Sequence, residues 1–507
     1  MGRGGPGGGH PRRDLTEGPI AKTLILFSLP LLGSNALQSL NLTANQFWVS
    51  HLLGVTAIAA IGNANVIGFL AQGAIFGATM AANIMIAQSV GAGDFQLVKR
   101  VMGTAISFFF LLSALLAVLG WNFAPHVLGA MRTPPAARAD AIIYLRIVFS
   151  AMPFMYFFMF LQMAQRGAGD SRTPFYFMAL AVVLDIILNP LLIAGVGPFP
   201  KLGIAGSATS TLIGQSVSLL LLLVYLYRKH SVIMLRPHEL GLLKPDWDLL
   251  RPLLLRGLPM SLQMFIMSGA SMVMIGFVNG FGAVTAAAYV GAQQVWNYIQ
   301  MPGMAVGASI SSMAGQNVGA GKWDRVSRIA GIGILLSVGV TGTAATLIYL
   351  LGPIPLYPFL PFGSPTIPIA LHIDRTVLWA FVIFNATFAL TGIVRSTGAV
   401  WPPLIILIVS MWLIRVPFAH FMMPVFDHYL HPHHPEDAIW WSFPLGTITS
   451  SVLSVLYFRY GGWRKVRMIR PGAGGEVPDA PVTGPQMDPH EDDEVPAVRV
   501  PASVAAS

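Results

Sequence analysis

Gln88-Ser89-Val90-Gly91-Ala92-Gly93-Asp94-Phe95 returns as Gln316-Asn317-Val318-Gly319-Ala320-Gly321-Lys322-Trp323, 228 residues later. Other pairs keep the same step. Gly54 in LLGVTAIAA answers Gly282 in GFGAVTAAA, and Pro30, Arg166 and Gly169 answer Pro259, Arg395 and Gly398 one residue further on. A chain that repeats one plan at a fixed period contains two related halves.

Those halves are apolar. Of 507 residues, 54% are hydrophobic and 10% charged, with a mean hydropathy of +0.66. A soluble surface normally requires about 25% charge. Runs of about 20 apolar residues, each long enough to span a bilayer, recur twelve times between residues 21 and 459. The first is too long for a cleavable signal and has no small-residue cleavage site after it. The expected fold is an all-α membrane protein: twelve transmembrane helices in two pseudo-symmetric six-helix bundles. An even number of spans separates the copies, so they share one topology. Duplicated bundles of this kind are the architecture of transporters.

Charge distribution orients the chain. Net charge is +9, but the cations collect in alternate loops. With the N-terminus inside, the inner segments hold Lys99, Arg100, Arg166, Arg172, Lys322, Arg325, Arg328, Arg395 and the groups around 228–256 and 459–470. The outer loops hold only Arg132, Arg138, Lys201 and Arg375. This is the positive-inside bias, and it argues against nucleic acid as partner. It puts both termini in the cytoplasm and the chain in the cytoplasmic membrane. Cysteine is absent, which excludes thiol chemistry.

The expected domains are a disordered N-terminus at 1–14, an N-lobe at 15–228 and a polar linker at 229–248. A C-lobe at 249–465 and a disordered acidic tail at 466–507 complete the chain. The paired Gly-x-Gly motifs read as turns between spans, since no strand or Walker-type lysine marks them as phosphate cradles. No ATPase module is visible and no catalytic constellation or cofactor site is expected, so the energy for a transporter here comes from an ion gradient or is absent.

The pattern LLGVTAIAA, AQSVGAGD, RGAGDSRTP and LNPLLIAG, followed by GFGAVTAAA and GQNVGAGKWDR, resembles the multidrug and toxic compound extrusion (MATE) family over residues 15–465. The resemblance implies a V-shaped pair of bundles, a monomer, and export of amphipathic or cationic organic compounds in exchange for protons or sodium ions. The N-lobe is most like the DNA-damage-inducible F type. That type's helix 1 acid falls on Asn45, and its helix 5 Asn-x3-Asp pair is reversed here as Asp185-x3-Asn189. Acids of another branch in helices 7 and 10 fall on Gln263 and near Asn385.

An ionisable group inside a span is costly and by default functional. Asp185, in VVLDIILNPLLI, reads as the one acid deep in a span. Asn189 lies on the same helix face, and Pro190 frees a carbonyl beside it. Low dielectric disfavours the charged carboxylate, so Asp185 is the expected proton site. Asn189 and Asn45 accompany it, and a sodium site on Asp185 and Asn189 is the alternative. The expected substrate cavity is lined by Gln38 and Asn41 of helix 1, Ser207, Thr211 and Gln215 of helix 6, and Met155, Met159 and Met163 of helix 4. For these residues interhelical hydrogen bonding or packing is the plain alternative. Pro30 and Pro190 are the expected hinges. Arg146 and Arg415 are the basic residues within spans, fewer than a phosphate-lipid flippase would need. The outer loop Asp427, His428, His431, His433, His434, Glu436, Asp437 has metal-ligand types without helical spacing, and reads as a solvated loop.

Overall fold

The computed structural model describes residues 14–130, 135–430 and 434–468. Six long helices form the first half: α1 Ile20–Leu53, α2 Val55–Gly91, α3 Phe95–Ala130, α4 Pro135–Gly167, α5 Arg172–Ala194 and α6 Ile204–Arg228. Six form the second: α7 Trp247–Asn279, α8 Ala283–Gly319, α9 Trp323–Leu351, α10 Thr366–Ser396, α11 Trp401–Tyr429 and α12 Asp437–Tyr460. Apart from α8, each contains a stretch long and apolar enough to cross a membrane. Helix α8 carries Gln293, Gln294, Asn297 and Gln300, and it packs against α10, α9, α2 and α1. Protein rather than lipid covers much of it, so it tolerates polarity that an outer helix would not. Helix α11 is interrupted by a π-helical stretch over Val409–Arg415. A short stretch of 3-10 helix, Pro237–Leu243, lies in the linker against α3.

The described residues form one compact unit. Its two bundles are held by different helix pairs, α2–α4, α3–α4 and α5–α6 in the first, α8–α10, α9–α10 and α10–α12 in the second. They are also exchanged at their starts. Leu15, Ile20, Leu24, Phe27 and Leu31 belong to a hydrophobic cluster with residues of α8, α9 and α10. Reciprocally, Leu249, Leu253 and Met260 of α7 belong to the cluster of α2, α3 and α4. The divisions 15–228 and 249–465 therefore describe chain order, whereas the first half of each lobe's first helix packs on the other lobe. Met468, in the expected tail 466–507, is buried and lies against Gly398, whose φ of +99° only glycine adopts without strain. The outer histidines His431 and His433, like residues 1–13 and 469–507, lie outside the described residues.

The repeated motif does two jobs. Gly93 and Gly321 have φ of +73° and +70° and end their helices in left-handed turns. Each turn is closed by a bond from the next amide, Asp94 N–H to Ser89 O at 3.0 Å and Lys322 N–H to Asn317 O at 2.9 Å. Gly91 and Gly319 are the last helical residues, and they mark a helix crossing instead of a turn. A Cβ on Gly91 would fall 1.9 Å from the Gln316 carbonyl oxygen, and one on Gly319 would fall 2.0 Å from that of Gln88. The two glutamines cross as well: Gln88 Nε2 donates to Ser396 O at 2.7 Å, and Gln316 Nε2 to Gly167 O at 2.8 Å. Ser28 of α1 donates to Ser309 of α8 at 2.8 Å, a further bond between the two halves.

Candidate functional site

The polar centre of the first lobe is built on α5 where α6 and α1 close over it. Gly214 on α6 permits the approach: a Cβ there would lie 2.8 Å from Ala181 O and 3.7 Å from Asp185 Cβ. Gly206, further back on α6, likewise faces the Leu192 backbone, 2.6 Å from where its Cβ would be. Between those two contacts α6 turns Ser210 and Thr211 toward α5 and Ser207 toward α1.

Asp185 is 3% exposed. Its Oδ1 accepts from Ser210 Oγ at 2.5 Å, and its Oδ2 from Asn41 Nδ2 at 2.9 Å and Thr211 Oγ1 at 3.1 Å. Among the described residues no cation pairs with it. Neutral donors to a charged group contribute ~1.5–3 kcal/mol each, against a burial cost of several kcal/mol for an ion. Together the three donors offset a cost of that size, which is how the carboxyl is held without a basic partner among the described residues.

Two amide oxygens deepen that electronegative pocket. Asn41 Oδ1 and Asn189 Oδ1 are both buried without a donor, and Asn189 is 1% exposed. Both are hard oxygen acceptors of the kind that suits a proton or a hard cation.

The structure rearranges the expected site. Asn41, expected as a cavity residue, is the helix 1 amide that reaches the acid. Asn45 lies one turn on and accepts from Ser207 Oγ at 2.7 Å. Asn189 shares the helix face but makes no bond to Asp185. Thr211 joins the acid, while Gln38 is exposed and Gln215 half-buried, and neither bonds to it. Ser210, not among the expected residues, donates to the acid as well; its signal in the sequence is the i, i+3 step from Ser207. Met155, Met159 and Met163 are half-buried. Met155 packs into the core, and Met163 Sδ contacts Asn83 and Arg166 at 4.0 and 3.9 Å. Pro30 and Pro190 both lie inside unbroken helices. Ser34 Oγ donates to the Pro30 carbonyl at 2.9 Å.

The expectation of a single deep acid is corrected in the second lobe. Asp374, two turns into α10, is 5% exposed and accepts from Trp296 Nε1 at 2.8 Å. The indole of α8 supplies the donor that lets this carboxyl stay buried. Asn385 fills the space left by Gly303 and donates to Thr341 Oγ1 at 3.1 Å. Arg415, buried in the π-helical stretch of α11, stands 3.4 Å over the centre of the Phe443 ring. Among the described residues no three His, Cys, Asp or Glu side chains converge as metal ligands.

Comparison with known proteins agrees with the duplication. A family model described as MatE matches residues 30–191 and again 259–421, starting at the paired prolines. The chain is 34% identical over 451 residues to the probable multidrug resistance protein YoeA of Bacillus subtilis (strain 168), covering 89% of this chain and 96% of that one. It is 29% identical over 455 residues to the probable multidrug resistance protein YpnP of the same strain, covering 90% and 98%. Its fold matches the outward-facing conformation of a multidrug resistance MATE family transporter with TM-score 0.81 at 21% identity, over 90% of this chain and 99% of that one.

Proposed function

The chain belongs to the multidrug and toxic compound extrusion (MATE) family of membrane transporters, and on that premise we propose that it exports amphipathic, often cationic organic compounds in exchange for protons bound at Asp185. The names of its relatives support the substrate class. The observation that carries the coupling is the ring around Asp185: one buried carboxylate, three neutral donors and, among the described residues, no basic partner.

The positive-inside bias supports a cytoplasmic position for the Gly-Ala-Gly end, in the cytoplasmic membrane, and the family supports a monomer. With that end sealed by the crossed glutamines, the Asp185 ring is served from the outside. A proton taken there neutralises the carboxylate and weakens its hold on the Asn41, Ser210 and Thr211 donors. Helices α1, α5 and α6 are then free to repack, and the lobes rock so that the proton leaves to the cytoplasm. Cationic substrate and proton compete for the same negative centre, which makes the exchange obligatory.

Everted vesicles with a fluorescent cationic dye test this. An imposed proton gradient is expected to drive dye movement, and Asp185→Asn is expected to abolish it at unchanged expression. Normal transport by that variant would overturn the assignment. A second reading, sodium at the same ring, is favoured by the unpartnered Asn41 and Asn189 oxygens. A sodium gradient driving dye movement at equal pH would establish it instead.

A further inference from the structure

The two copies of the repeat part company just after the Gly-Ala-Gly turn. In the first, position 94 is Asp, and its Oδ1 accepts from Leu97 N–H at 2.8 Å, so α3 carries its own anion at its start. The cations that follow are neutralised by the linker: Lys99 pairs with Glu239, and Arg100 with Asp246 at 2.6 Å.

In the second copy position 322 is Lys, and no side chain caps α9. Lys322, Arg325 and Arg328 line an open cavity of about 430 Å³, together with Ile20, Trp323 and one acid, Asp324. Their hydrogen bonds go to neutral oxygens. Lys322 Nζ donates to O and Oγ1 of Thr16 at 3.1 Å, and Arg325 Nη2 to the carbonyls of Glu17 and Gly18 at 2.8 Å. Arg325 Nε is buried with no acceptor. Among the described residues no ion pair neutralises any of the three.

Resting on the orientation proposed above, we infer that this cavity binds the phosphate headgroup of an anionic phospholipid in the cytoplasmic leaflet. The lipid phosphate supplies the anion that Asp94, Glu239 and Asp246 supply in the other copy. Three cations against the single acid Asp324 in the first turn of a 29-residue helix leave the cavity net positive and favour it electrostatically. The lining selects lipid over free phosphate. Ile20 is buried and Trp323 half-buried at the rim where the spans begin, and an indole at that level suits the boundary of headgroup and acyl chain.

The test uses the full chain in neutral detergent, titrated with phosphatidylglycerol, phosphatidylcholine or inorganic phosphate, with binding and thermal midpoint as readouts. Phosphatidylglycerol is expected to bind and raise the midpoint; the other two are not. Arg328→Gln is expected to weaken binding roughly fivefold, the loss of one interfacial cation. Lys322→Asp recreates the cap of the first copy, and is expected to abolish binding while keeping the lipid-free midpoint. Lys99→Gln, at the neutralised site, is expected to leave binding unchanged. An equal response to phosphatidylcholine or to inorganic phosphate would overturn the lipid assignment, as would undiminished binding by both Arg328→Gln and Lys322→Asp. No gradient is involved, so failure of the export reading leaves this result interpretable.

Discussion

Asp185 and Ser210 are 2.5 Å apart, the shortest link in the polar centre of the first lobe. Ser210→Ala leaves a buried carboxylate oxygen short of its nearest donor and is expected to lower stability by ~1–3 kcal/mol. Gln215→Ala, which removes no hydrogen bond, should leave the thermal midpoint in place; equal losses in the two variants would contradict the geometry. The acid itself was legible in the sequence, because a carboxylate amid VVL and IIL has no ordinary reason to be there. Its partners were less so. Whether Asn41 or Asn45 reaches Asp185 depends on how α1 crosses α5, which is a tertiary quantity that spacing along one helix does not contain. Asp374 reads from the sequence only as a charge near the start of helix 10, because its burial depends on the Trp296 indole of another helix.

At the scale of elements, the glycines at the ends of α2 and α8 permit a backbone-on-backbone crossing. Gly91→Ala or Gly319→Ala puts a carbon within about 2 Å of a carbonyl oxygen, so the two helix ends must separate. With no native cysteine in the chain, spin labels at Ala92→Cys and Ala320→Cys would measure the separation directly. A longer or broader distance is expected in either glycine variant; an unchanged distribution would show that the crossing is not held by these glycines. Turn glycines were readable from the motif, but crossing glycines look the same in sequence. The exchanged starts of α1 and α7 were equally hidden. An apolar stripe such as Leu24, Phe27 and Leu31 declares that it will be buried and is silent about which lobe buries it.

For the whole molecule, the linker is more than a tether. Partial burial pushes the Glu239 carboxyl up, but the Lys99 ammonium and the Arg236 backbone N–H outweigh it and hold it below its ordinary value of 4.5. A depressed carboxylate contributes stability that is complete above pH 4.5 and is lost as pH falls through the lower folded value. Limited proteolysis across 229–248 is therefore expected to accelerate below about pH 4.5. In Glu239→Gln it should be faster at neutral pH and should lose that acid-induced increase; an identical profile in the variant would dissociate the linker from this ion pair.

The crossed glutamines bear on the history of the chain as well as its motion. Each motif is the other's binding surface: Gln88 meets the end of α10, Gln316 the end of α4, and each glycine makes room for the opposite backbone. A change in one copy is felt at once by its twin, so neither can drift alone. The acids and amides of the spans have no such reciprocal partner and are free to specialise. Mutual dependence at one end and independence elsewhere account for a duplication that is still readable at its turns after its chemistry has diverged.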